Sequence, residues 1–105
     1  MVKKLLLVVV ALTLLLPIVA CSSKGAGTVK IGVVLSTTGL LGPMGTDMME
    51  GARLAAKEIN AQGGVLGKQL QLVEEDDGTD AAKSLERVKK MVDIDGVKVM
   101  VGGMT

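Results

Sequence analysis

The residues VKIGVVLSTTGLLGPMG at positions 29–45 decide the fold of this chain. Positions 29–35 form a short valine, isoleucine and leucine run broken by one lysine and one glycine, which is typical of a buried strand. Positions 36–45 are rich in hydroxyl side chains and glycine, and they predict a long loop that leads into a helix. Structureless connections of this length are uncommon unless they are functional. Because ligands in α/β sheets usually bind between a strand end and a helix N-terminus, we predict that loop 36–45 contacts a ligand. A solvated connection is the alternative.

The apolar pattern beyond this stretch predicts the element order β-α-β-α-β. Strands are predicted near residues 29–35, 69–75 and 97–101, and helices near residues 47–61 and 80–93. Crossovers between parallel strands are right-handed in nearly all cases, so a central first strand places the two helices on opposite faces. We therefore predict an α/β fold with a doubly wound parallel sheet of strand order 2-1-3. Its switch point lies between the first and third strands, where loop 36–45 faces the loop that starts at Gly102.

Each predicted helix has a start signal and an apolar face. In the first helix Asp47 and Glu50 fit a capping box, and two glycines at positions 63 and 64 end the helix. In the second helix Thr79 or Asp80 fits the N-cap position. Helical spacing predicts the buried positions, which are Met48, Ala52, Ala55, Ala56 and Ile59 in the first helix and Ala81, Leu85, Val88 and Val92 in the second.

Four adjacent acids occupy positions 74–77, at the end of the second strand. A Ca²⁺ loop needs acids at alternate positions before a glycine and a glutamate that closes the loop, and neither is present around Gly78. We interpret the run as a strand end followed by a turn, with a metal site as the weaker alternative. The sequence thus predicts no metal site and no cofactor.

Composition restricts the classes of function. The 12 basic and 11 acidic residues give a net charge of +1, which becomes −1 without Lys3 and Lys4, so no basic field attracts nucleic acid. The chain contains no histidine and no aromatic residue, which excludes histidine-based triads and stacking platforms for bases. The glycines at 39, 42 and 45 do not have the spacing of the dinucleotide fingerprint. We therefore predict that the chain is not an enzyme.

The N-terminus has the pattern of a secretory leader. Lys3 and Lys4 precede an uncharged apolar stretch at residues 5–20, which is shorter than the roughly 20 residues of a spanning helix. Its last residues, followed by Cys21, resemble the lipobox of bacterial lipoproteins, in which the cysteine thiol is acylated. We predict a signal peptide at residues 1–20, and a lipidated Cys21 with a flexible tether at residues 21–28. A secreted protein in which the single cysteine is incidental is the alternative.

The mature part of the chain carries several short motifs, of which EINA at 58–61 followed by GGVLG at 63–67 is the most specific. The others are KIGVV at 30–34, Thr38-Gly39 with Gly45, Gly51-Ala52, Asp76-Asp77 and Val101-Gly102. Together they make the chain resemble the start of type I periplasmic binding proteins of the branched-chain amino acid (leucine/isoleucine/valine) receptor family. The resemblance implies two α/β lobes that are joined by a hinge, clamp a ligand and feed an ABC importer.

The resemblance also implies where the ligand lies. In that family the loops after the first and third strands line one side of the cleft, and their amides and hydroxyls hold the ligand's carboxylate. Carried onto this sequence, the ligand-binding positions are Thr38, Met44, Gly103, Met104 and Thr105. Because family members have several hundred residues, residues 29–105 are expected to be the N-terminal part of the first lobe, and the chain a truncated fragment.

These features predict an extracytoplasmic solute-binding lipoprotein, held at the cell membrane through Cys21 and facing the periplasm or the cell exterior. Its expected partners are a small amino acid ligand and an ABC permease. A ligand-sensing lobe of a receptor or regulator is the alternative, and it requires a signalling partner in place of the permease. One lobe offers only one wall of a cleft, so we expect the isolated 105-residue chain to have millimolar affinity or weaker, with no binding of leucine, isoleucine or valine measurable by titration calorimetry.

Overall fold

A computed structural model describes residues 1–3 and 27–104 of the chain. Its strands are β1 (Thr28–Leu35), β2 (Gln69–Asp76) and β3 (Val99–Gly102), and its helices are α1 (Gly42–Ala61) and α2 (Ala81–Asp93). Residues 4–20 of the predicted leader, Cys21 and most of the tether lie outside the described residues. Within the described residues no helix is both long enough and apolar enough to cross a membrane.

The three strands form one parallel sheet in the order β2-β1-β3, which confirms the predicted topology. β1 pairs with β2 along its whole length, from Thr28 opposite Gln69 to Leu35 opposite Asp76. β3 is shorter and pairs with four residues of β1, from Ile31 opposite Val99 to Val34 opposite Gly102. All three strands therefore end at the same edge of the sheet.

The alternation of side chains along β1 gives the sheet two separate apolar cores. Val33 and Leu35 pack on one face with Met49 of α1, and Val34 packs on the other face with Met91 of α2. The two helices thus cover opposite faces of the sheet, as predicted. Met91 is fully buried because it lies over Gly32, where a β-carbon would come within 2.8 Å of its sulfur atom.

Helix α1 starts at Gly42, five residues earlier than predicted. Pro43 lies in its first turn, where a proline is favoured because its missing amide hydrogen has no partner there anyway. The N-cap residue is Leu41 and no side chain caps the helix, so the capping box predicted from Asp47 and Glu50 is wrong. The loop after β1 is consequently residues 36–41, and Met44 belongs to the helix.

Ala52 and Val88 of the predicted stripes pack against the two cores, but other predicted positions are replaced by their neighbours. Met49 is buried and Met48 is 46% exposed, while in α2 Met91 is buried and Val92 is 51% exposed. Leu85, also predicted to be buried, is 56% exposed. Helical periodicity fixes the spacing of apolar positions, but neighbouring methionine and valine residues satisfy that spacing equally well, so packing against the sheet selects between them.

The turn between α1 and β2 is closed by a side chain. The side-chain Nδ2 of Asn60 donates to the backbone carbonyl of Leu70 at 2.9 Å, and its side-chain Oδ1 accepts from the backbone amide of Leu70 at 2.7 Å. This pair of bonds imitates a neighbouring strand at the outer edge of β2. The glycines at 63 and 64 adopt positive φ angles directly after the helix, as predicted for its end.

Candidate ligand-facing edge of the sheet

The carboxyl ends of the three strands bring three connections together at one edge of the sheet. Residues 36–41 follow β1, residues 77–80 follow β2, and Gly103 with Met104 follows β3. This edge is the common place for ligands in open parallel sheets. We refer to it as the ligand-facing edge.

The carboxylate of Asp76, the last residue of β2, holds the loop after β1. One carboxylate oxygen accepts from the amides of Thr37 (2.9 Å), Thr38 (3.2 Å) and Gly78 (2.9 Å). The other oxygen accepts from the Thr38 hydroxyl at 2.5 Å. A single side chain therefore joins two loops that are about 40 residues apart in sequence, since Thr38 and Asp76 are 38 residues apart.

These hydrogen bonds stabilise the ionised form of Asp76. The Thr38 hydroxyl, with the amides of Gly78, Thr38 and Thr37, lowers the pKa of Asp76 from 3.8 to about 2, although partial desolvation acts in the opposite direction. The carboxylate is therefore charged at neutral pH, and its charge strengthens the hydrogen bonds that hold the loop.

Asp77 also joins the ends of β1 and β2, and it lies beneath the exposed loop. Its side chain is fully buried and accepts from the Ser36 hydroxyl at 2.5 Å and from the Thr79 amide at 3.0 Å. Ser36 is also fully buried. The buried hydroxyl and carboxylate satisfy one another, so the end of β1 is tied to the end of β2 beneath the exposed loop.

Close backbone contacts complete the arrangement. A β-carbon on Gly39 would lie 2.4 Å from the carbonyl oxygen of Gly78, and a β-carbon on Gly45 would lie 1.9 Å from that of Ser36. Gly39 also has a φ of +77°, which favours glycine. The Thr79 hydroxyl adds two bonds at 3.2 Å: it donates to the Thr38 carbonyl and accepts from the Leu41 amide.

The chain leaving β3 passes close to the end of β1. The amide of Gly103 donates to the Val34 carbonyl at 3.2 Å, and Gly102 approaches the same carbonyl so closely that a β-carbon would lie 2.2 Å from it. Met104 is half-buried against Val33, Leu35 and Met49. The loop after β3 thus turns toward the face of the sheet that α1 covers.

The described part of the chain contains four of the five predicted ligand-binding residues. Thr38 and Gly103 are both exposed at the ligand-facing edge, in the connections that follow β1 and β3. Met44 is 57% exposed on the first turns of α1, and Met104 turns toward the apolar core. Thr105 lies outside the described residues.

The acids at positions 74–77 hold neighbouring elements in place, whereas the sequence predicted for them only a strand end followed by a turn. Glu74 and Glu75 face opposite sides of the sheet because β2 alternates: Glu74 accepts from Arg53 of α1 at 2.6 and 2.9 Å, and Glu75 pairs with Lys90 of α2. The hydrogen bonds from Arg53 lower the pKa of Glu74. Each acid therefore fixes a different element against the sheet. Nowhere in residues 1–3 and 27–104 are three acid, histidine or cysteine side chains grouped to hold a metal ion.

Comparison with known proteins supplies the context of this edge. A family model described as periplasmic binding protein matches residues 28–105. The Leu/Ile/Val-binding protein of Escherichia coli K12 is 35% identical over 77 residues, which cover 73% of this chain and 21% of that protein. The leucine-specific-binding protein of Salmonella typhimurium is 36% identical over 95 residues, covering 88% and 26%. The chain thus spans about a quarter or less of the length of these relatives.

Solved structures give the same result at the level of the fold. The substrate-binding protein LivJ of a branched-chain amino acid transporter from Streptococcus pneumoniae, solved in complex with isoleucine, superimposes with a TM-score of 0.71 and 37% identity. The match covers 72% of this chain and 22% of that chain. A fatty acid ABC transporter substrate-binding protein from Thermomonospora curvata superimposes with a TM-score of 0.60 and 28% identity. The shared architecture therefore accompanies ligands of more than one class.

Proposed function

This chain belongs to the periplasmic binding protein family, and on that premise we propose that it is part of the substrate-binding protein of an ABC importer for branched-chain amino acids. The observation that carries the ligand class is the 35% identity over 77 residues to a protein named for leucine, isoleucine and valine. We propose further that the ligand-facing edge supplies one wall of the binding cleft. The permease partner follows from the transporter to which such proteins belong.

The hydrogen bonds at Thr38 suggest which end of an amino acid it meets. Its amide and its hydroxyl hydrogen are both directed to Asp76, so Thr38 presents hydroxyl lone pairs to the cleft. Lone pairs and the nearby Asp76 carboxylate suit the ligand's ammonium group. We therefore propose that Thr38 faces the ammonium group, in place of the carboxylate that the family resemblance implied for it, and that backbone amides of Gly103, Met104 and Thr105 face the carboxylate. We propose that the exposed Met44, on the first turns of α1, meets the aliphatic side chain.

One wall gives weak binding. A net hydrogen bond is worth about 0.5–1.5 kcal/mol, so three of them amount to a few kcal/mol before the cost of immobilising the ligand is subtracted. A dissociation constant of 1 mM already requires about −4.1 kcal/mol. Calorimetry on this chain at micromolar concentration is therefore expected to show no heat of binding with leucine, isoleucine or valine.

Ligand-detected NMR measures contacts in the millimolar range and tests the proposal. Saturation transfer from the lipid-free mature chain should reach L-leucine, L-isoleucine and L-valine, and it should fall when either leucinamide or 4-methylpentanoic acid replaces leucine. These analogues lack the carboxylate and the ammonium group, respectively. Equal transfer to L-lysine and L-glutamate, or no transfer to leucine at tens of millimolar, would contradict the proposed ligand class.

The lipid anchor is a separate proposal, supported by the lipobox-like residues before Cys21. Acylation of the cysteine thiol and of the new N-terminus gives two or more chains, which attach a protein stably where one chain does not. Cells grown with radioactive palmitate should label the wild-type chain but not the Cys21→Ser variant. Label in both forms would show that the anchor does not depend on this cysteine.

A further inference from the structure

The opposite edge of the sheet, where the strands begin, carries a basic cavity. It is open, has a volume of about 420 Å³, and includes Thr28, Lys30, Lys68, Asp95 and Lys98 in its lining. None of the four described ligand-binding candidates lines it. We refer to this region as the basic edge.

The sheet topology places one lysine at the start of each strand. Lys30 lies in β1, Lys68 directly precedes β2, and Lys98 directly precedes β3. Because Gln69 pairs with Thr28 and Val99 pairs with Ile31, the two flanking lysines lie beside the first residues of β1. Positions 68 and 98 directly precede the two strands that flank β1. These two lysines, 30 residues apart in the sequence, therefore lie at the same end of the parallel sheet.

The positive charge of this edge is largely uncompensated. Lys30 donates to the backbone carbonyl of Asp95 at 2.8 Å, a contact that leaves its charge unpaired. Asp95 is the one acid in the lining of the cavity, and its carboxylate also lies 3.5 Å from Lys90, so the three lysines share at most one carboxylate. Within the described residues Lys68 and Lys98 form no side-chain ion pair. By contrast, Glu74, Asp76 and Asp77 have their partners at the far end of β2.

The basic edge is also the end at which the chain enters from the N-terminus. Thr28 opens β1 and lines the cavity. Seven residue steps separate it from Cys21, so even a fully extended chain between them spans only about 25 Å. An anchor at Cys21 therefore keeps this edge, more than the ligand-facing edge, close to the membrane surface.

We propose that the basic edge rests on anionic phospholipid headgroups through Lys30, Lys68 and Lys98 when the chain is anchored at Cys21. The inference rests on the proposed lipid anchor, and it concerns an edge that plays no part in the proposed ligand binding. Contact at this edge turns the ligand-facing edge away from the membrane, where free amino acids reach it. Each lysine near an anionic surface strengthens the contact about fivefold, and the anchor supplies the high local concentration that such weak contacts need.

The test attaches the protein chemically, so that its outcome does not depend on cellular acylation. The mature chain, residues 21–105, has one thiol, which is coupled to a maleimide lipid in vesicles. One set of vesicles is phosphatidylcholine and the other contains phosphatidylglycerol. An amine-reactive reagent and mass spectrometry then give the labelling rate of each lysine, relative to Lys83 at the N-terminal end of α2. We expect Lys30, Lys68 and Lys98 to react severalfold more slowly on the anionic vesicles, and to recover at about 1 M salt, where the Debye length is near 3 Å.

A charge-matched pair of variants sharpens the result. In Lys68→Gln/Lys98→Gln the contact should weaken about 25-fold, so that Lys30 reacts as fast on anionic as on zwitterionic vesicles. In Lys57→Gln/Lys89→Gln, whose lysines lie on the helices outside the cavity, the protection of Lys30 should persist. Equal relative rates on both vesicle types, or loss of protection in both variants, would overturn the proposal, because the basic edge would then have no specific contact with the lipid.

Discussion

The two edges of the sheet differ in how their charges are used. At the ligand-facing edge Asp76 and Asp77 accept hydrogen bonds from both flanking loops, and close glycine contacts leave no room for side chains. At the basic edge Lys68 and Lys98 extend around an open cavity without partners among the described residues. The difference indicates that one edge is preorganised by internal bonds, while the other keeps its charges available for an external surface.

The largest expected effect concerns the packing of α1 on the loop after β1. Gly45→Ala would place a β-carbon 1.9 Å from the Ser36 carbonyl oxygen, so the helix or the loop must move. We expect a loss of about 3 kcal/mol in the free energy of unfolding, measured by urea denaturation. Gly51→Ala is the control on the same helix, since no atom lies near its β-carbon, and it should stabilise the chain by about 0.5–1 kcal/mol. Similar losses in both would show that the contact at Gly45 is not tight.

Removal of the buried hydroxyl at Ser36 is expected to cost somewhat less. Ser36→Ala leaves the buried Asp77 carboxylate without its closest donor, which should lower the free energy of unfolding by about 2 kcal/mol. Ser84→Ala is the control. It also removes a serine hydroxyl, but Ser84 lies on the half-exposed side of α2, where its hydroxyl has no buried partner among the described residues. It should remain within about 0.5 kcal/mol of the wild type. A loss at Ser84 as large as that at Ser36 would contradict the role given to the Ser36–Asp77 bond.

The Asp76 carboxylate should make stability depend on acid pH. Its pKa is lower in the folded chain, about 2, than the ordinary 3.8, so its contribution is fully present above pH 3.8 and is lost as the pH falls through about 2. Because the side chain is largely solvated, we expect a contribution of about 1 kcal/mol. Asp76→Asn should remove this part of the acid dependence, whereas Asp47→Asn, on the exposed side of α1, should retain it. Parallel pH profiles for wild type and Asp76→Asn would refute the assignment.

The smallest effect belongs to the basic edge. Lys68→Gln and Lys98→Gln remove charges that stabilise no partner among the described residues, so each should change the free energy of unfolding by less than about 0.5 kcal/mol. Thermal or urea denaturation measures this directly. A loss above 1 kcal/mol at either position would mean that the lysine has a structural task, and the contrast between the edges would fail.

The sequence predicted the parts of this structure that local rules determine. The apolar periodicity, with right-handed crossovers around a central first strand, predicted the topology, and Asp80 caps α2 as predicted by accepting from the Lys83 amide. The start of α1 was predicted wrongly because Pro43 and the backbone contact at Gly45 outweigh the capping signal of Asp47. The bonds from Asp76 to Thr38 could not be predicted, because they join residues that only the β1–β2 register brings together.

We expect the ligand-facing edge, and not the basic edge, to contact the amino acid. The most direct test is a series of ¹H–¹⁵N spectra of the lipid-free mature chain during titration with L-leucine. We predict that the shifting amides are those of Thr38, Gly39, Gly78, Gly103 and Met104, with saturation at millimolar concentration or above, and that Lys68 and Lys98 stay unchanged. Shifts centred on Lys30, Lys68 and Lys98, or spread evenly over the sheet, would contradict this account.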